Sequence, residues 1–273
     1  KYLYYSLLSS KQRLVNQAGG TSQKNLLLRE LRKFKIEVPE RFTQQKIASI
    51  LSAFDDLIEN NTRRIEILEE MARLIYREWF VHFRFPGHEE VNMVNSELGK
   101  IPEGWEVKNL TQFIKFKNGK SPIEKDGNLY PLYGSNGIIG KSDIYKWENG
   151  VIIGRVGAYC GSIEYCKNKF WASDNTIVAT PDDKYNYPLF VYYLLDGLNL
   201  RHYAGGSAQP LLTQTVIRDI NVIVPNKRLL NQFSSQADTL WKNKLNLEKQ
   251  IKVLESTRDL LLPKLISGSI ELK

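Results

Sequence analysis

Cysteine is almost absent from this chain, with only Cys160 and Cys166 among 273 residues. Their separation fits neither a CxxC redox pair nor the paired clusters of a zinc site, so both read as reduced, structural thiols. Histidine is as sparse: His82, His88 and His202 are scattered, and no metal site is expected. No uncharged apolar run approaches the ~18 to 20 residues of a membrane span. The opening KYLYYSLLSS lacks the charged, apolar and small regions of a signal peptide. A cytoplasmic protein with no membrane partner is expected. Catalytic motifs are also missing. GSNGIIGKS (134–142) approaches the phosphate loop GxxxxGK[ST], but Ser135 stands where the first glycine is needed, and the following DIYKWENG is a poor helix. GRVGAYCG (154–161) breaks the spacing of GxGxxG. The acids of EVK (106–108) and PD (181–182) come in the wrong order for a metal-dependent nuclease, and no GxSxG elbow occurs. The chain reads as non-catalytic, with no cofactor of its own.

What the chain has is apolar content of 42%, enough to bury sizeable cores, and a net charge of +8. The charge is uneven: residues 1–38 carry +6, 39–85 carry −1, 86–225 carry −1 and 226–273 carry +4. Within the nearly neutral middle, KNLTQFIKFKNGK (108–120) holds Lys108, Lys115, Lys117 and Lys120 without an acid, interleaved with Phe113 and Phe116. Such a stripe faces phosphates or is simply a solvated face.

The most informative feature is a repetition. AGGTSQKNLLLRELRKFKIEVP (18–39) returns 186 positions later as AGGSAQPLLTQTVIRDINVIVP (204–225), with eight of 22 positions identical. The register continues through Ile65 on Ile251, Leu68-Glu69 on Leu254-Glu255 and Leu74 on Leu260, while LYYSLL (3–8) matches VYYLL (191–195) if two residues are inserted. The period is too long for a solenoid and marks a duplicated unit.

Each copy then runs into a long helix signal. Ile47, Leu51, Phe54, Ile58, Asn61, Ile65, Leu68, Ala72, Ile75 and Trp79 alternate steps of four and three, the a/d seam of a coiled coil with Asn61 as its polar, register-fixing interruption. The second seam is Phe233, Ala237, Leu240, Lys244, Leu247, Ile251, Leu254, Arg258, Leu261 and Leu265. Its two cations have stems that still cover apolar surface. Pro39 and Pro225 open the two helices. The 33 residues from Ile47 to Trp79 span about 50 Å. Two related seams bury most simply against each other, about a pseudo-two-fold axis that makes the helices antiparallel.

Between them, residues 86–225 alternate short apolar runs with glycine turns, which predicts a mixed α+β domain with strands near 151–154, 161–165, 176–180 and 220–224 and a helix over 187–199. Phe170, Trp171, Tyr192 and Tyr193 are assigned to its core.

The passage LIYREWFVHFRFPGHEE (74–90) leading into SELGKIPEGWEVKNL (96–110), together with GRVGAYCGSI, FWASDNTIV and YAGGSAQPLLTQ, resembles the specificity subunit of bacterial type I restriction-modification systems. The resemblance covers essentially the whole chain. It implies an α+β fold, a mixed α/β target-recognition domain plus two long helices forming an antiparallel coiled coil. Its divisions would be 1–38 as the C-terminal remnant of a first recognition domain, 39–85 as the first spacer helix, 86–225 as a complete second domain, 226–267 as the second spacer helix and 268–273 as a tail. It further implies double-stranded DNA as ligand, each domain reading one half of a split site. The expected partners are two modification subunits that use S-adenosylmethionine and restriction subunits that use ATP and Mg, with self-association through the spacer helices as a further contact. The alternatives are a coiled-coil adaptor without DNA readout and a cryptic nucleotide-dependent enzyme.

For DNA contact, the phosphate candidates are Lys115, Lys117, Lys120, Lys141, Arg155 and Arg201. Ser135 and Asn136 on the GSNG turn, and Ser207 and Gln209 on the GGSAQ turn, either reach phosphates and bases or only shape the turns. Arg155 and Gln209 have side chains suited to guanine and adenine respectively. Specificity is expected in the unrepeated residues 105–186, and the doubled stretch with Gln23 and Gln209 in scaffold.

Overall fold

The computed structural model describes every residue except 18–25, 124–126, 207–208, 271 and 273. Along the chain these are helices α1 (Tyr2–Ser9), α2 (Lys11–Gln17), α3 (Leu28–Lys33) and α4 (Arg41–Tyr76), then strands β1 (Met93–Ser96), β2 (Gly99–Pro102), β3 (Glu106–Asn109), β4 (Ile114–Asn118), β5 (Tyr130–Gly134), β6 (Gly137–Ser142), β7 (Trp147–Gly154), β8 (Ile163–Ala172) and β9 (Thr176–Pro181). Helices α5 (Pro188–Gly197) and α6 (Gln214–Arg218), strand β10 (Asn221–Val224) and helix α7 (Lys227–Ile266) follow. Two compact units result, one made of 1–69 with 241–273, the other of 70–240.

The helix positions repeat as the sequence does. α3 and α6 begin 186 residues apart, at Leu28 and Gln214, and so do α4 and α7, at Arg41 and Lys227. α1 and α5 end 188 apart, at Ser9 and Gly197, so the two extra residues of the first copy fall in the connection that follows α1.

In the first unit, α4 and α7 run antiparallel. Asp55 accepts from Arg258 at 2.7 Å, Asn61 donates to Gln250 at 3.3 Å and Glu69 accepts from Lys244 at 2.5 Å, so one number falls as the other rises. Burial follows the heptad. Ile47, Leu51, Asn61 and Leu247 are buried and Phe54, Ile58, Ile65, Leu68, Ile251, Leu254 and Leu261 half-buried, while Leu57, Ile67, Val253 and Leu260 on other faces are exposed. Near the ends of the pair, Ile47, Leu51, Leu262 and Leu265 close a core with Tyr2 and Tyr5 of α1. The Tyr5 hydroxyl donates to the same Asp55 that takes Arg258, so one carboxylate ties three helices. Burial raises the Tyr5 phenol, and its bond to Asp55 raises it further.

The second unit is built on a six-stranded sheet in the order β4-β9-β7-β8-β5-β6, antiparallel except for β5 against β8. Hairpin β1-β2 and the pair β3-β10 are separate ladders. Leu132, Ile152, Phe170, Trp171 and Val178 form the sheet core. Tyr193 is buried and Tyr192 half-buried.

The two compact units are divided at 69/70 and 240/241, within the long helices. Both long helices divide by contact within their length, because Tyr76 and Phe80 of the first and Phe233 of the second belong to an aromatic core with Phe190 and Trp105. In that unit Ala72, Trp79, Phe233 and Ala237 are buried and Ile75 and Leu240 half-buried. The last turn of the first helix, Arg77–Val81, widens to π geometry. The prolines stand two residues before the helices, and the Asn226 side chain accepts from the Leu229 amide at the second entry. The two copies also differ in cover. Val224, paired in β10, is 2% exposed, whereas its counterpart Val38 is 64% exposed, because 35–38 has no strand to pair with among the described residues.

Removing Arg258 would leave Asp55 without its charged partner in a site only partly open to water. Arg258→Ala is expected to destabilise the helical unit by about 1–2 kcal/mol, read as a lowered melting midpoint. An unchanged midpoint would show that this tie carries no stability.

Candidate nucleic-acid interface

Five separate segments meet around one turn in the second unit. β8 ends at Ala172 and β9 begins at Thr176, so residues 173–175 turn tightly, closed by the Thr176 amide donating to the Ser173 carbonyl. The Asn175 carbonyl then accepts from the Ser135 hydroxyl at 2.6 Å and from the Arg155 amide at 3.1 Å. The Ser135 carbonyl accepts from the Ser162 hydroxyl at 2.7 Å. Residues 201–212 join through the Leu212 amide to the Arg155 carbonyl and the Gly157 amide to the Pro210 carbonyl. Residues 118–121 join through the Gly119 amide to the Thr176 carbonyl and the Lys120 amide to the Ala172 carbonyl. The Trp171 indole also donates to the Lys120 carbonyl, at 2.9 Å. These ties are backbone-rich, so the surface they shape is fixed while outward side chains stay free.

Gly154 lies where three of the segments touch. A Cβ there would stand 2.4 Å from the Ser162 hydroxyl, 2.5 Å from the Tyr159 carbonyl and 2.9 Å from the Ser135 carbonyl. In GRVGAYCG, Gly154 and Gly161 thus stand where another backbone comes close, whereas Gly157 has open space around it and a φ of +70°.

The structure treats the candidate residues unequally. Ser135 is half-buried and its hydroxyl is spent on Asn175; Asn136 beside it is exposed. Arg155 is half-buried, with an Nε that is buried and has no hydrogen-bond acceptor among the described residues. The Arg201 guanidinium donates to the Ala158 carbonyl at 2.6 Å, tying its loop to residues 157–161. Gln209 is exposed, two residues before Leu211, which pairs with Gly205 in an antiparallel bridge. Ser207 and Gln23 lie outside the described residues. Lys117 and Lys120 are exposed and form no ion pair among the described residues.

Two of the lysines stand apart from the others. The Lys115 ammonium lies 3.2 Å from both Asp182 and Asp183, and these bonds hold its pKa above the usual lysine value. The backbone amide of Lys184, and then Lys115, in turn lower the Asp182 carboxyl. Lys115 thus enters with its charge already compensated. Lys141 is exposed on β6 opposite Pro131, in a hairpin rather than a phosphate loop. The GSNG turn is the connection of that hairpin, between β5 and β6, so the sequence that approached GxxxxGK runs into a strand and not into a helix that could stand behind a phosphate.

Sequence reasoning missed Asn118, Lys146, Asn175 and Gln214. The Gln214 amide donates to Asn118 at 2.7 Å, joining α6 to the end of β4. Asn175 was visible as a turn former in SDN; the others carry no local signal. Tyr159 and Tyr203, on the loops around Arg201, are 52% and 41% exposed. Both cysteines are buried and free, and burial raises both thiols. Among the described residues no group of His, Cys, Asp and Glu is placed to hold a metal, and no helix is long and apolar enough to cross a membrane.

A duplicated pair of long helices in one unit and, in the other, loops fastened by backbone hydrogen bonds and carrying exposed cations are features of a nucleic-acid-recognition subunit. The chain belongs to the type I restriction modification DNA specificity domain family, whose model matches residues 1–70 and 102–254. The MjaIX specificity subunit of Methanocaldococcus jannaschii is 31% identical over 303 aligned positions, covering 100% of this chain and 69% of that protein. The HindI specificity subunit of Haemophilus influenzae is 21% identical, covering 99% and 77%. The crystal structure of a type I S subunit from M. genitalium shares the fold with a TM-score of 0.66 at 22% identity, covering 97% of this chain and 71% of that one. Specificity subunits are the non-catalytic, DNA-recognising components of these systems.

Gly154→Ala is expected to force the three loops apart, with an overpacking cost of about 1–3 kcal/mol and weaker DNA binding. Circular dichroism melts and duplex titration check both effects, and a variant with unchanged melting and affinity would contradict the close packing at this point.

Proposed function

We propose that residues 86–225 read one half of a bipartite DNA target, that the paired helices α4 and α7 set the gap between the half-sites, and that the helices dock two modification subunits. The observation that carries this reading is the duplication itself. Two copies of the same step from a short helix into a long one, α3 into α4 and α6 into α7, begin 186 residues apart and feed two antiparallel helices, and one copy is fused to a loop cluster rich in hydrogen-bonding and cationic groups. Phosphate contacts position such a subunit, and the exposed side chains of 105–186 supply base readout. In the assembled enzyme S-adenosylmethionine belongs to the modification subunits, and ATP and Mg to the restriction subunits. The work is done in the cytoplasm.

Binding to duplex DNA, by the chain alone and with modification subunits, is expected to weaken with salt at a log–log slope of about −0.9 per phosphate engaged. Binding with no salt slope and no sequence preference would leave the chain a helical adaptor. Inserting one heptad after Asn61 and one after Leu247 adds about 10 Å to the pair. Methylation mapping should then show a gap lengthened by about three base pairs with both half-site sequences unchanged, given ~3.4 Å of rise per pair. Altered half-sites with an unchanged gap would reverse the assignment of ruler and reader.

A further inference from the structure

Beside the turn that gathers the loops, three lysines converge from separate parts of the sequence. Lys120 follows β4 and Lys146 precedes β7, yet their amides donate to the carbonyls of Ala172 and Phe170, two residues apart on β8. Carbonyls at that spacing point to the same edge of a strand. The two backbones are therefore held side by side, and both side chains are exposed there. Lys117, exposed on β4, also acts on Lys146 through its charge.

The anchors are rigid. The Trp171 indole fixes the Lys120 carbonyl, and the Lys146 ammonium sits 5.1 Å from the centre of the Trp147 ring. Trp147 and Trp171 are both buried and pack edge to face, with centroids 6.0 Å apart. Both lysine side chains are exposed, so nothing in the core requires them to be together. Like charges at this range repel, and the repulsion is visible in Lys146, whose pKa is lowered first by its contact with the Lys120 amino group. Among the described residues Lys117, Lys120 and Lys146 form no ion pair with a carboxylate. Asp174, on the adjoining turn, is engaged by the Ser121 hydroxyl at 3.1 Å. Lys115, two residues from Lys117, shows the contrast: there two aspartates neutralise the charge.

We infer that Lys120 and Lys146, with Lys117 behind them, form a socket for a single backbone phosphate of the DNA target. A phosphate between the two amino groups replaces their mutual repulsion with two charge-assisted hydrogen bonds. Its position beside the 173–175 turn places the duplex backbone against the loop cluster and fixes the register in which the exposed loop residues meet base edges. The inference rests on the DNA-reading function proposed above and adds to it a residue outside the unbroken stripe of 108–120.

The test compares the full chain, together with its modification subunits, with Lys120→Gln, Lys146→Gln and the double variant, titrating target and unrelated duplexes across a salt series. Because one phosphate is shared, the double variant should lower the log–log salt slope by about 0.9, whereas each single variant, whose remaining lysine still meets that phosphate, should lose much less. Both duplexes should weaken by the same factor, and melting midpoints should not change, since both side chains are exposed. Lys252→Gln, on the outer face of α7, should leave the slope unchanged. A slope equal to wild type in the double variant overturns the socket, and so does a loss near 1.8, which means two separate phosphates. In either case DNA binding by the wild type stands. Absence of salt-dependent binding by the wild-type assembly overturns the DNA-reading function and the socket with it.

Discussion

Burial of one apolar seam against its duplicate is the constraint on which the rest of the helical architecture depends. A 36-residue helix spans about 54 Å, far beyond what a small core can cover, so it needs a partner along its length. The chain supplies that partner from its own second copy. An antiparallel arrangement brings Asp55 to Arg258 and Glu69 to Lys244, and cations that would weaken an isolated seam become cross-helix ties. Asn61, buried and bonded to Gln250, sits near the midpoint of the pairing, where a register shift would strand a buried amide.

The recognition unit solves a different problem. Its sheet is short-stranded and interrupted by glycine turns, and its loops are held less by apolar burial than by backbone hydrogen bonds converging on Asn175, Ser135 and Arg155. That division suits a reader of DNA. Carbonyls and amides bear the structural load, while Asn136, Gln209, Lys117, Lys120 and Lys146 point to solvent. The same economy explains why Lys115 and Lys117, both on β4, differ so much: Lys115 is tied across to Asp182 and Asp183, whereas Lys117 forms no ion pair among the described residues.

Much of this was legible in the sequence, for identifiable reasons. Helical seams are local in sequence and repeat every 3.5 residues, so Ile47 through Trp79 could be read residue by residue. The later strands also stand out, since runs such as VIIG and TIVAT are β-branched and bounded by turns. The early strands were missed: β4 and β6 carry lysine and glycine where a strand pattern expects branched residues, because each exposes much of its length at or near a sheet edge. GSNGIIGKS departs from the phosphate-loop pattern at Ser135, but only the fold shows it to be a turn and a strand.

The duplication and the two seams were determined by the sequence, because identity at a fixed offset and helical periodicity need no knowledge of distant contacts. Tertiary structure decided where the compact units divide, which lysines are free, and which loops meet. Those outcomes depend on pairings between positions far apart, 40 residues for Ser135 with Asn175 and 203 for Asp55 with Arg258, that leave no periodic trace in the chain. The convergence of Lys120 with Lys146 is of this kind, because two carbonyls of one strand bring together residues that the sequence keeps 26 positions apart.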